Sequence, residues 1–153
     1  MFQQVIQQCA LALGQIELWL DKTEQHAKAK KFDPAILLTC RLAPDQDHFT
    51  TQVRFAADYI RYGAGRLSGE VRARIQKTIA YAHSIDPEKY KGAADRWVEV
   101  NWAPGKKIRG DDYLLQLTIP NVYFHVTTAY AILRHNGVDV GKADFLGPVS
   151  LVK

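Results

Sequence analysis

Between residues 2 and 30 apolar side chains recur at Ile6, Cys9, Leu13, Ile16 and Leu20, spaced alternately three and four apart. That rhythm marks a helix with one buried stripe. Gln4, Gln8, Gln15 and Glu17 fall largely on its other faces. The pattern predicts a first long helix from about Phe2 to Lys30, with a lysine-rich last turn that suits the negative end of the helix dipole. Phe49, Val53, Ala56, Ile60, Gly63 and Leu67 repeat the rhythm. They predict a second long helix from Asp45 or Asp47 to about Leu67, with a break at Ser68-Gly69. Val71, Ile75, Ile79 and Ala82 predict a third, from about Glu70 to Ser84. A fourth starts after Gly110, capped by Asp111 or Asp112, and runs through Tyr113, Leu114, Leu117, Phe124, Thr128, Ala131 and Ile132. It ends at Asn136-Gly137, a good C-terminal stop. Pro120 lies in its middle and predicts a kink.

The connections carry their own signals. Asp33-Pro34 is a cap followed by a proline suited to the first helical position, so a short helix Ala35–Cys40 should follow and stop before Pro44. Asp86-Pro87 repeats that signal. From Arg96 to Trp102 the chain turns β-branched and aromatic; Ala103-Pro104-Gly105-Lys106 reads as a turn and Lys107-Ile108-Arg109 as a return strand. A hairpin this small is marginal alone and must pack on helices. The tail from Val138 to Lys153 should be extended and lie over the bundle. No repeat or linker interrupts the chain. The expected fold is mainly α: a single domain over residues 1–153, an up-and-down four-helix bundle with a small β-hairpin before the last long helix.

Composition narrows the partners. At 153 residues, 47% hydrophobic and 24% charged, the chain can bury a real core, and disorder is excluded. The net charge is +4, and its basic clusters (Lys22, Lys28, Lys30 and Lys31; Lys106, Lys107 and Arg109) are sparser than those of nucleic-acid binders. Nucleic acid is therefore not the expected partner. Cys9 and Cys40 lie 31 residues apart in apolar surroundings and read as reduced, buried thiols. No basic segment precedes the first apolar stretch, and residues 9–20 are too short to span a bilayer and contain Glu17. A cytoplasmic protein with no membrane partner is expected.

No phosphate loop, dinucleotide fingerprint, nucleophile elbow or zincin pattern is present. Among the five histidines, His26 and His83 sit near helix ends and should be exposed, His48 lies in the first turn of the second helix, and His135 ends the fourth. His125 stands apart in the middle of a long apolar helix. Asn121 is one turn earlier and Thr128 nearly one turn later on the same face. On the second helix Gln52 shares a face with Phe49 and Ala56, so its amide should point inward, and Asp58 lies further along. Gln52, Asp58, Asn121, His125 and Thr128 form the candidate polar pocket. It is either a hydrogen-bond network near the Pro120 kink or a small-molecule pocket.

The segments Tyr113-Leu114-Leu115, Pro120-Asn121-Val122-Tyr123-Phe124-His125, Thr127 to Val138 and Gly141 to Gly147 resemble an uncharacterised bacterial family of unknown function, a branch of the DinB/YfiT-like superfamily. Arg41-Leu42-Ala43-Pro44-Asp45 and Gln52-Val53-Arg54 resemble it too. The resemblance covers nearly the whole chain. It implies an up-and-down four-helix bundle, often dimeric. Many members hold a divalent metal through three histidines, one on the second helix and two in a His-x-x-x-His-Arg pattern on the fourth, and several are thiol-dependent transferases or isomerases. Aligned on Leu133-Arg134, His125 matches the second histidine of that pattern; Asn121 stands at the first and Gln52 near the second-helix one. Neutral amides are poor ligands, so the resemblance implies a lost metal site and no cofactor. Similar proteins carry a longer acidic, proline-containing loop between the second and third helices, where here Gly69 leads into Glu70-Val71-Arg72.

The expected function is that of a bundle protein with a metal-free polar pocket around His125 that takes a small molecule. It should be a homodimer, and Trp19, Trp97, Trp102, Tyr59 and Tyr62 either cover its interface or pack within the bundle. The alternative is a zinc- or nickel-dependent thiol S-transferase or isomerase using His125 with His48 or Asp58. A metal-free enzyme with His125 as acid or base, oriented by Asn121, is its variant.

Overall fold

The structure, a computed structural model, describes residues 2–61 and 71–149. Four long helices form the body: α1 (Phe2–Lys30), α3 (Phe49–Arg61), α4 (Val71–Ser84) and α6 (Ile119–His135). Short helices α2 (Ala35–Leu38), α5 (Gly110–Asp112) and α7 (Lys142–Leu146) and strands β1 (Trp97–Glu99) and β2 (Lys107–Arg109) complete it, with 3-10 turns at Pro87–Tyr90 and Ala93–Asp95. The expected end of the second helix at Leu67, Gly63, Glu70, Tyr62 and the break at Ser68-Gly69 lie outside the described residues.

The α1 stripe is buried as its spacing requires: Cys9, Leu13 and Ile16 are essentially inaccessible and Leu20 nearly so. Phe49, Val53 and Ala56 of α3, Ile75 of α4 and Val122, Val126, Ala129, Ile132 and Leu133 of α6 meet them in one core cluster. Apolar area removed from water, worth about 25 cal/mol per Å², is the main force holding the four helices together. Cys9 is a free thiol inside that core, and burial pushes its pKa up to about 11, so it is inert. Cys40 is free and half-buried.

Helix directions follow from side-chain contacts. α1 and α6 run the same way, because Ile6 shares a cleft with Leu114 and Thr118, Trp19 meets Tyr130, and the His26 ring lies against Gly137. α3 opposes α6, since Gln52 meets His125 while Tyr59 shares a cleft with Tyr113 and Leu117. α4 opposes α1, with Arg72 reaching Asp21 and Glu24 and Ile79 lying against Gly14. Along the chain the long helices thus run up, down, down, up, a finer statement than the up-and-down expectation. Apolar periodicity fixes which face of a helix is buried and carries no sign of direction.

The hairpin is antiparallel, pairing Trp97 with Arg109, Val98 with Ile108 and Glu99 with Lys107. It closes one end of the bundle. Gly110 leads directly from β2 into α5, and a Cβ there would run into the Ala93 carbonyl oxygen, so only glycine lets the chain pass. The expected Pro120 kink takes the form of a π-helical turn, Tyr113–Thr118, just before α6. Proline has no N–H to donate and its ring crowds the carbonyl one turn back, and a wider turn relieves both. Thr118 Oγ1 donates to the Tyr113 carbonyl at 3.3 Å and Asn121 Nδ2 to the Leu117 carbonyl at 2.7 Å, which satisfies two acceptors there.

One expectation is corrected and one alternative is decided. The tail is not simply extended: Val138 and Val140 are fully buried and α7 follows, its first turn held by the Gly141 N–H donating to Asp144 Oδ2 at 2.8 Å. Of the two alternatives for Trp19, packing within the bundle is the one observed. Its ring is fully buried, stacked on Phe145 at 5.9 Å and edge-on to Tyr130 at 5.7 Å, and its indole N–H donates to the Asp144 carbonyl. The α1 face is wider than its stripe because both α4 and α6 pack on it.

Candidate functional site

Gln52 lies one turn into α3, on the face that Phe49 and Ala56 bury, and its side chain is buried as expected. His125 faces it from the middle of α6, with Nδ1 2.7 Å from Gln52 Oε1. The Gln52 amide nitrogen donates to the Asp47 carbonyl at 3.0 Å. A carbonyl can only accept, so the amide oxygen is the atom turned to His125, and Nδ1 must carry the proton. The imidazole is therefore locked as the Nδ1–H tautomer, with its lone pair on Nε2. Burial holds its pKa below the usual histidine value, and the negative charge of Asp47 offsets part of that shift. The ring is neutral at pH 7.

Aromatic rings enclose it. Phe55 is tilted against the imidazole at 5.1 Å, Tyr59 stacks on it at 5.9 Å with 20° between planes, and Phe124 meets it edge-on at 5.2 Å. Gln52, Phe55 and Tyr59 are spaced three and four apart along α3. That second stripe beside the apolar one was the signal available in the sequence, and reading only the polar residues missed it. Phe55 and Tyr59 also form one wall of a cleft of about 280 Å³. Tyr113 and Leu117 of the π turn face them, and Val100, Asn101 and Trp102 close it from the hairpin, with Asp58 at the edge.

The other expected site residues lie apart from the ring nitrogens. Asn121 and Thr128 both turn back on their own helix, Thr128 Oγ1 donating to the Phe124 carbonyl at 2.8 Å. Asn121 thus does not orient His125; Gln52 does. Asp58 is exposed on the cleft rim and pairs with Arg74 at 3.6 Å. His48 precedes α3, and its Nδ1 accepts from the Thr51 backbone N–H at 3.3 Å, so it acts as the helix cap. His83 is exposed, but His26 is half-buried against Phe32.

A divalent metal, as many superfamily members hold, does not fit this donor set. The donors beside His125 are a neutral amide turned to it as a hydrogen-bond acceptor and a second amide bonded to backbone. Among the described residues no group of three or more His, Cys, Asp or Glu side chains lies close enough to hold an ion.

Fold and hairpin together define a DinB-like helical bundle. A solved DinB family member protein from Shewanella denitrificans superposes with a TM-score of 0.94 at 33% identity, over 100% of this chain and 96% of that one. The chain belongs to the domain of unknown function family DUF1993, whose model matches residues 1–146. No curated protein matches it. Among the described residues no helix is long and apolar enough to cross a membrane.

Proposed function

We propose that this chain is a metal-free, small-molecule-binding member of its family. Its ligand is a small planar, largely apolar molecule held in the cleft between α3, the π turn and the hairpin. One observation carries the reading: Phe55 and Tyr59 are at once the aromatic shell of a locked, neutral imidazole and the wall of an open cleft of about 280 Å³. Ligand clefts are typically apolar and aromatic with a few placed polar groups, and Asn101 and Asp58 supply these. Trp102, 74% exposed, is a face on which a ring can stack.

A thermal-shift screen of aromatic fragments tests this. Ligand at 100 times its Kd stabilises the native state by about 2.7 kcal/mol, which for a chain of this size raises Tm by roughly 5–10 °C. The shift should vanish in Trp102→Ala and in Tyr59→Ala. Shifts indifferent to both variants would remove the cleft from the account.

A second reading rests on the tautomer. With Nδ1–H donated to Gln52, the Nε2 lone pair of His125 is a base in its active form at neutral pH. Catalysis by that base would follow the protonation of one group and disappear in His125→Ala. Self-association is a further component, for which Trp97, Leu11, Leu18 and Phe124, each more than half exposed, offer apolar surface. Light scattering on the full chain tests it, with a dimer mass expected.

A further inference from the structure

Tyr59 and Tyr113 have a second side. Behind them lies another cleft, of about 360 Å³, between the start of α1, the ends of α3 and α4, the 3-10 turns and the hairpin. Its charge is the opposite of the first. Among the described residues, the cleft beside His125 is lined by Asp58 and no cation, whereas this one is lined by Lys89 and Arg96 and no carboxylate. We infer that it is an anion-selective site for a small amphiphile, a carboxylate or phosphate monoester on a short aliphatic or single-ring body. This goes beyond the proposal for the first cleft and stands or falls separately.

The neighbouring carboxylates are engaged elsewhere. Glu88 pairs with Lys91, while Asp95 and Asp111 both pair with Arg109. Lys89 has no ion-pair partner among the described residues. Arg96 donates one N–H to the Lys91 carbonyl at 2.9 Å, which fixes the guanidinium and leaves its other donors available. An ammonium and a held guanidinium make a charge-assisted receptor for a carboxylate or phosphate. Tyr90 adds a phenol, which burial and the nearby Tyr81 keep protonated and hence a donor. Most of the remaining lining, Ile60, Val98 and Leu114 among it, is apolar, so an inorganic anion alone would leave most of the cleft unfilled.

Calorimetric titration of the full chain with octanoate, phenyl phosphate, octanol and inorganic phosphate tests the inference. Octanoate or phenyl phosphate should bind, and the tighter of the two identifies the headgroup. Octanol and inorganic phosphate should each bind at least ten-fold more weakly than that ligand. The double variant Lys89→Gln, Arg96→Gln should lose at least ten-fold in affinity, and Trp102→Ala, in the other cleft, should lose none. Lys89→Glu guards against a folding defect, because it leaves the Arg96–Lys91 bond intact; it should weaken binding at unchanged Tm. Octanol binding as tightly as octanoate, inorganic phosphate binding as tightly as phenyl phosphate, affinity unchanged in Lys89→Glu, or no binding of either anion at millimolar concentration would overturn the inference.

Discussion

The two ends of this bundle are both rich in aromatic side chains and treat them in opposite ways. At the end covered by α7, Trp19 is enclosed by Phe145 and Tyr130, its N–H is bonded, and the Tyr130 hydroxyl donates to the carbonyl of the fully buried Val140. At the end covered by the hairpin, Trp97 and Trp102 are 65% and 74% exposed, and tyrosines line two clefts instead of filling them. The difference separates aromatics that stabilise from aromatics that shape a surface. The first kind is needed for the bundle to fold, and the second costs apolar exposure that a purely structural end would not retain. His125 sits between these regimes, half-buried and packed by Phe55 and Tyr59, which also line the first cleft.

Truncating one aromatic at each end should have very unequal effects. Trp19→Ala should destabilise the protein by about 3–5 kcal/mol, the range for large aromatics removed from packed cores, seen as a lower midpoint in urea. If the closed end tolerated that loss, the contrast would be lost.

A smaller effect probes the middle. Gln52→Leu keeps the volume but leaves the Nδ1–H of His125 without its acceptor, which should cost about 1–3 kcal/mol. The same ring predicts a pH dependence. Its folded pKa lies below the unfolded value near 6.5, so as pH falls the unfolded chain takes up the proton first. His125's contribution is therefore complete above that value, falls as pH drops through it, and levels off below the folded pKa. Stability curves of the native chain and His125→Gln, measured between pH 8 and 5, should converge as pH falls; parallel curves would show that burial does not shift this group.

The smallest effect on stability belongs to the open end. Trp102→Ala should change Tm little, within about 0.5 kcal/mol as for surface positions, while removing fragment binding at the first cleft. A large stability loss there would make Trp102 a structural residue.

Much of the fold was legible in the sequence. The stripes of α1 and α6 and the change of period at Trp97 are dictated by burial, which leaves a record in residue type. Whether Trp19 packs inside or covers an interface is left open by the sequence, because nothing in a single stripe says how wide a face two packed helices will cover; it is fully buried, while its neighbour Leu18 is 54% exposed. The Gln52–His125 pair was half legible. Each residue's inward register could be read, but which amide would reach the ring could not, because Asn121 is diverted to the Leu117 carbonyl by the turn that Pro120 forces. The clefts were not legible, since they arise where the hairpin meets the helix ends, and no local pattern encodes that meeting.

In the proposed function His125 is a neutral imidazole beside a binding cleft and ligates no metal. Elemental analysis of untagged protein, before and after incubation with zinc, nickel and manganese, is the decisive measurement. No retained metal and no thermal shift with any of the three are expected. About one metal per chain, lost in His125→Ala, would contradict that function and return the thiol transferase chemistry of the superfamily to the front.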